Sequence, residues 1–165
     1  MRTYSHALLT HRALRRLGPR AATAAALGAT LPDLPALFGA AWLAAKRPKA
    51  FSRHDFETRV CGRTLFSRPD AALHSALPVL TALALYGTLG IRRRRKDHAL
   101  TAFLLGWAGH VAADALTHGT DARPILWPVS SYRFESPISY RERDRHALPF
   151  TLIEHAALLA LSREL

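Results

Sequence analysis

Between Ala99 and Gly119 the chain reads ALTAFLLGWAGHVAADALTHG, an apolar run of helical length with His110, Asp114 and His118 spaced four residues apart. Residues four apart share one face of a helix. His110 and Asp114 therefore lie a turn apart on one face, and His118 follows a turn later, rotated somewhat further round. Imidazoles and a carboxylate are costly to bury without partners. Any fold of this chain must bring them a second polar element or a cation. Two imidazoles and a carboxylate are also the donors that divalent metals use. A metal or catalytic site is the sharper reading, and a polar network between helices is the plainer one.

The rest of the chain is built from similar apolar runs. LHSALPVLTALALYGTLGI, residues 73–91, holds no charge and runs straight into RRRRK. ATAAALGATLPDLPALFGAAWLAAK ends at Lys46 and carries Asp33 as its one acid, and HALPFTLIEHAALLAL, residues 146–161, is shorter and contains Glu154 and His155. Apolar stretches of about twenty residues are candidates to span a bilayer, and flanking cations mark the cytoplasmic side. A large soluble helical core is the competing reading. In a membrane the buried ionisable residues become functional candidates.

Alanine and leucine dominate, which favours helices over sheets. The formal net charge is +11, from 23 Lys and Arg against 12 Asp and Glu. That balance suggests an anionic partner, nucleic acid or an anionic leaflet. The chain has no recognition helix, zinc finger or glycine-bounded aromatic strand, which argues against nucleic acid. Cys61 is the single cysteine and reads as a small apolar filler. MRTYSHALLTHRALRR does not read as a signal peptide, because histidines interrupt it and its arginines follow the apolar residues.

Caps and breakers predict helices over 3–17, 20–29 and 36–45, with Gly18-Pro19 ending the first and Pro32 and Pro35 interrupting the next run. Residues 46–72 read as a basic loop with a short helix around 53–60. One helix is expected over 72–91, capped by Asp70, then helices over 98–117 and 146–161. Residues 120–145 hold three prolines and four aromatics and read as an ordered loop, in the manner of a lid.

Candidate chemistry gathers on these helices. Asp33, in an apolar run, either caps the next helix or faces the His110–Asp114 pair. His74 opens the third long apolar segment. His6 precedes Ala7-Leu8-Leu9 and is a better ligand candidate than His11. Glu154 interrupts the last helix. Together they suit a metal hydrolase, in which an ion acidifies water and polarises a phosphoryl or acyl oxygen. Asp33 or Glu154 would accept the water proton, and Arg133 and Arg141 would hold an anionic substrate.

The motifs His6, LPD at 31–33, LHS at 73–75, GHVAADALTHG at 109–119 and WPVSSYRFESPISY at 127–140 follow one another in order along most of the chain. In this the chain resembles membrane-bound metal-dependent hydrolases related to the LexA-binding inner-membrane protein family and, more distantly, the zinc-dependent phospholipase C group. The resemblance implies a multi-pass membrane protein holding a divalent metal, with His6, Asp33, His74, His110 and Asp114 as site residues. Two departures stand out. The family's Asp-x-Asp reads Asp33-Leu34-Pro35 here, and its Arg-x-x-x-His-Ser approach is replaced by Asp70-Ala71-Ala72-Leu73-His74-Ser75. The missing second aspartate argues against a two-metal site.

The expectation is a single all-α domain over residues 1–165, a compact membrane-embedded bundle with a Pro- and aromatic-rich loop before its last helix. It binds a divalent ion, zinc first, through His6, Asp33, His74, His110, Asp114 and His118, with Asp33 and Glu154 as catalytic carboxylates. The substrate is a membrane lipid or a small phosphorylated or ester compound. The expected location is the inner membrane in several passes, with the cytoplasm as alternative. The competing functions are a non-catalytic helical membrane protein with a structural polar cluster or a partner-binding role and, more weakly, a soluble nucleic-acid-binding domain.

Overall fold

Eight α-helices carry most of the described residues, which in this computed structural model are 1–46, 52–62, 65–93 and 98–162. They are α1 (Thr3–Leu14), α2 (Pro19–Thr30), α3 (Leu34–Lys46), α4 (Arg53–Arg59), α5 (Ser67–Leu73), α6 (Ala76–Arg93), α7 (His98–Thr117) and α8 (Ala147–Ser162), with short 3-10 turns at Arg15–Leu17, Leu31–Asp33 and Arg143–Arg145. An isolated antiparallel bridge between Pro124 and Arg133 is the one β pairing among the described residues. The fold is an all-α bundle. Pro19 sits at the first position of α2, where its missing N–H costs nothing, after Gly18 with φ of 96°. Ser52 caps α4 by accepting a hydrogen bond from the Asp55 amide at 3.1 Å.

The closest packing is between α2 and α7, followed by α1 and α2. The seam is made of small residues. Ala21, Ala25 and Ala102 are buried together, with Ala22 and Ala29 also fully enclosed. A methyl group added at Gly106 would overlap the Ala25 carbonyl, and one at Gly28 would overlap that of Phe103. Small residues let two helix backbones approach to contact, the device membrane helices use where lipid offers no hydrophobic drive. Val79, Leu104, Trp107 and Val111 form a second buried cluster between α6 and α7.

Pro19–Lys46, 28 residues running on through the Leu31–Asp33 turn, and His98–Thr117, 20 residues, are each long and apolar enough to cross a membrane. At 1.5 Å per residue the second matches a hydrocarbon core of about 30 Å. The pair Ser67–Leu73 and Ala76–Leu89, bent by 55°, makes a third if it counts as one broken span. Large apolar side chains face outward on many helices, among them Phe38, Leu80, Leu116 and Ile153, each more than half exposed. Such a surface suits lipid better than water.

Pro32 and Pro35 interrupt the α-helical run as expected: α2 ends at Thr30, a 3-10 turn spans Leu31–Asp33, and α3 starts at Leu34 with Pro35 in its first turn. Two expectations need correction. The helix expected over 72–91 is two helices, broken at His74-Ser75. Tertiary bonds win there over helical continuation. The Ala76 amide donates to the Ile125 carbonyl at 2.9 Å, the Ser75 hydroxyl donates to Ile125 O at 2.7 Å, and the Trp107 indole donates to Leu73 O at 2.6 Å. Asp70 is not a cap. It lies in the first turn of α5, and its carboxylate pairs with Arg123.

Candidate metal centre

One end of the bundle gathers the start of α1, the Leu31–Asp33 turn, the α5–α6 break and the last turns of α7. His110 is fully buried. Its Nδ1 lies 2.6 Å from the Ala29 carbonyl oxygen. A carbonyl only accepts, so Nδ1 carries the proton and Nε2 presents a lone pair. That Nε2 has no hydrogen-bond partner. It faces Asp114 Oδ2 at 3.2 Å and Asp33 Oδ1 at 3.9 Å. His74 repeats the arrangement from the helix break. Its Nδ1 donates to Asp70 O at 2.9 Å, and its Nε2 lies 3.5 Å from Asp33 Oδ1 and 3.6 Å from Asp114 Oδ2. Asp33, Asp114, His74 and His110 thus offer four donor atoms within 4.8 Å of one another. An imidazole fixed through Nδ1, with Nε2 free, is the posture of a metal-binding histidine oriented by an outer partner.

The structure therefore fits a divalent ion on three counts. A buried imidazole nitrogen is orphaned, two carboxylate oxygens converge on the same point, and two nitrogens plus two oxygens are a donor set that zinc accepts. Asp33 is held by Thr3, whose hydroxyl donates to Oδ2 at 2.5 Å.

Asp114 is also approached from its other side. His6 Nε2 lies 2.8 Å from Oδ1, and the amino group of Met1 lies 3.1 Å from the same oxygen while donating to Thr117 Oγ1 at 2.7 Å. The His6 ring stacks on that of His110 with centroids 3.9 Å apart. Burial holds His6 below its ordinary pKa, against the hydrogen bond to Asp114, which raises it. His118 Nε2 is 3.2 Å from Asp114 Oδ2, and its Nδ1 is 3.1 Å from Asp121 Oδ1. Glu154 is not brought to this cluster. It is buried in an ion pair with Arg2 and also accepts from the Arg2 amide. That neighbourhood gives it a structural partner rather than an open face.

A cleft of about 170 Å³ opens beside the cluster. Asp33, His74 and His118 form its polar floor, Arg123 and Arg141 its basic side, and Leu37 and Phe56 an apolar wall. Arg123 is tied to Asp70 and donates to the Asp121 carbonyl at 2.8 Å. Arg141 donates to Asp121 Oδ2 at 3.1 Å and lies over the Tyr140 ring. Burial pushes the Asp121 carboxyl up, but bonds from His118 and Arg141 outweigh it and hold the group well below the usual range. Burial pushes the Tyr140 phenol up to about 12. Arg133, the other arginine expected to meet substrate, is exposed and lies outside the cleft lining.

Sequence reasoning did not single out Thr3, Asp121, Arg123 or Tyr140. Asp121 follows His118 by three residues and could have been found by that spacing; the others answer to no local period.

A cluster of metal-ligand side chains among helices of membrane-crossing length, opening on a basic cleft, together with the family match that follows, defines a membrane-associated metal-dependent hydrolase. The donor set and the family point to a divalent-ion cofactor, zinc first. The sequence profile of the zinc dependent phospholipase C family matches residues 5–143, and the chain belongs to that family. No curated protein and no solved structure matches it.

Proposed function

We propose that this chain is a single-domain, multi-pass inner-membrane enzyme over residues 1–165 that hydrolyses a phosphoester bond of a membrane lipid, and that it is related to the LexA-binding inner-membrane proteins. The observation that carries the reading is the four-donor cluster opening onto a cleft with two arginines. Asp33, His74, His110 and Asp114 hold the ion, with His6 and His118 flanking Asp114. When bound, the ion supplies positive charge that polarises a phosphoryl oxygen and acidifies water.

The chain's own residues do the rest. Arg141 and Arg123 attract and orient the phosphoryl group, Arg141 being the more exposed of the two. Asp33, positioned by Thr3, accepts the water proton. Glu154, bound to Arg2, holds the start of α1 in place rather than reaching the reacting atoms. The segment 120–145 covers the site as a lid, supported by the Ser136 hydroxyl bond to Leu116 O and the Ser139 amide bond to Arg145 O. Leu37 and Phe56 give an acyl chain a wall to lie against.

The test is zinc content of gently purified protein beside folded His110→Ala and Asp114→Ala variants, followed by hydrolysis of lipid phosphoesters. Near-stoichiometric zinc in the parent, lost with turnover in both variants, supports the enzyme. Folded variants that leave no turnover to lose would favour a structural polar cluster.

A further inference from the structure

The turn between Pro124 and Phe134 has two faces with different chemistry. Its ends are paired by the Pro124–Arg133 bridge and by the Ile125 amide donating to Tyr132 O at 3.0 Å. Inside the turn the Ser130 amide donates to Leu126 O at 3.0 Å. Its inner face is fastened to the site. Ser75, next to His74, donates to the carbonyls of Ile125 and Trp127, and Ile125 and Phe134 line a small cavity with His74, Asp114 and His118.

The outer face is apolar and open. Leu126, Val129 and Tyr132 are 45%, 80% and 61% exposed, and no acid or base lies between Leu126 and Tyr132. Arg133 follows, exposed. Apolar groups held outward on a pinned turn are costly in water. Trp, Tyr and Arg beside aliphatic groups are the composition of a membrane–water boundary.

The surface nearby says what covers it. The turn is bonded to the first residues of α6, whose Leu77 and Leu80 face outward, and it follows α7, whose Leu116 is 64% exposed, after the short stretch 118–123. The apolar tip thus continues the lipid-facing surface of two helices. The chain's charge of +11 and the open Arg133 complement an anionic leaflet.

We infer that residues 126–133 seat in the headgroup–acyl boundary of an anionic phospholipid bilayer, so that the cleft receives its substrate from the membrane plane rather than from water. The inference rests on the membrane reading above, but its occupant is the lipid surface itself. A second copy of the chain on this tip is the competing occupant.

The experiment uses the full chain in nanodiscs of phosphatidylethanolamine and phosphatidylglycerol, with Cys61→Ala and Val129→Cys carrying an environment-sensitive fluorophore. Lipid bearing a quencher near the top of its acyl chain is expected to quench the label roughly threefold more strongly than aqueous iodide does, as a shallow interfacial seat demands. Preferential iodide quenching overturns the inference. So does quenching by a labelled second copy in place of lipid.

In a second arm, Val129→Asp with Tyr132→Asp is expected to keep parental zinc content and hydrolysis of water-soluble bis(p-nitrophenyl) phosphate while losing most hydrolysis of bilayer phospholipid. Equal losses on both substrates, or on neither, overturn it. The fluorescence arm needs neither zinc nor turnover, so failure of the hydrolase reading leaves it decisive.

Discussion

Substituting Gly106 tests how the centre is built. A Cβ placed there overlaps the Ala25 carbonyl oxygen and lies 2.9 Å from its carbon. Both partners are helix backbone, so no side chain can swing away, and α2 and α7 must part by about 1 Å at the contact. Four residues on, His110 Nδ1 donates to Ala29 O at 2.6 Å across the same seam. Parting the helices stretches that bond and frees the imidazole to turn. Overpacking costs about 1–3 kcal/mol, and a buried donor left without its acceptor adds about 1–3 kcal/mol. The better helix propensity of alanine returns about 1 kcal/mol. Gly106→Ala should therefore destabilise the protein by about 1–5 kcal/mol and weaken zinc binding, although it touches no ligand. Gly109→Ala is the matched control, because a Cβ there meets nothing within 4 Å; it should be neutral or stabilising by up to about 1 kcal/mol. The assay is reversible unfolding in detergent with zinc titration of each variant. If Gly106→Ala melts and binds zinc like Gly109→Ala, the close-seam account is wrong.

Arg123→Ala strands the buried Asp70 carboxylate, one oxygen of which already has no hydrogen-bond partner. It should cost about 2–3 kcal/mol in denaturant unfolding, with Arg123→Lys recovering part of the loss. Asp121 has a depressed pKa, so its contribution is present above the ordinary carboxylate range and is lost as pH falls through the lower folded value. Asp121→Asn should flatten the decline in stability below about pH 4 that is expected of the parent; an identical acid limb would sink the assignment. Stripping zinc with a chelator should lower the unfolding midpoint, and excess zinc should restore about 3 kcal/mol at a hundredfold over its dissociation constant.

Periodicity made α7 legible to its ends, because a 20-residue apolar run between a charged stretch of sequence and Gly119 leaves little choice. Four-residue spacing likewise put His110 and Asp114 on one face, where they lie 3.2 Å apart. The break at His74-Ser75 was legible only in part. Pro78, which the structure places in the first turn of α6, is a local start signal, but the competing bonds come from Ile125 and Trp127, about fifty residues later. Asp70 looked like a cap for the same reason, since its partner Arg123 is equally remote. The charged stretch 92–97 that follows the third apolar run falls largely outside the described residues. Glu154 was legible as an acid that needs a partner, but not which partner: it is Arg2, at the other end of the sequence.

The protons that orient His110 and His74 are both given to main-chain oxygens, those of Ala29 and Asp70. Such oxygens exist whatever side chain the position carries. Scanning residue 29 with other small side chains would leave the hydrogen bond standing, and comparing sequences there would reveal only a limit on size. The groups that orient these two histidines are thus invisible to any method that reads side-chain identity. They become accessible only by editing the backbone itself, for instance by replacing the amide after residue 29 with an ester and weakening the carbonyl as an acceptor.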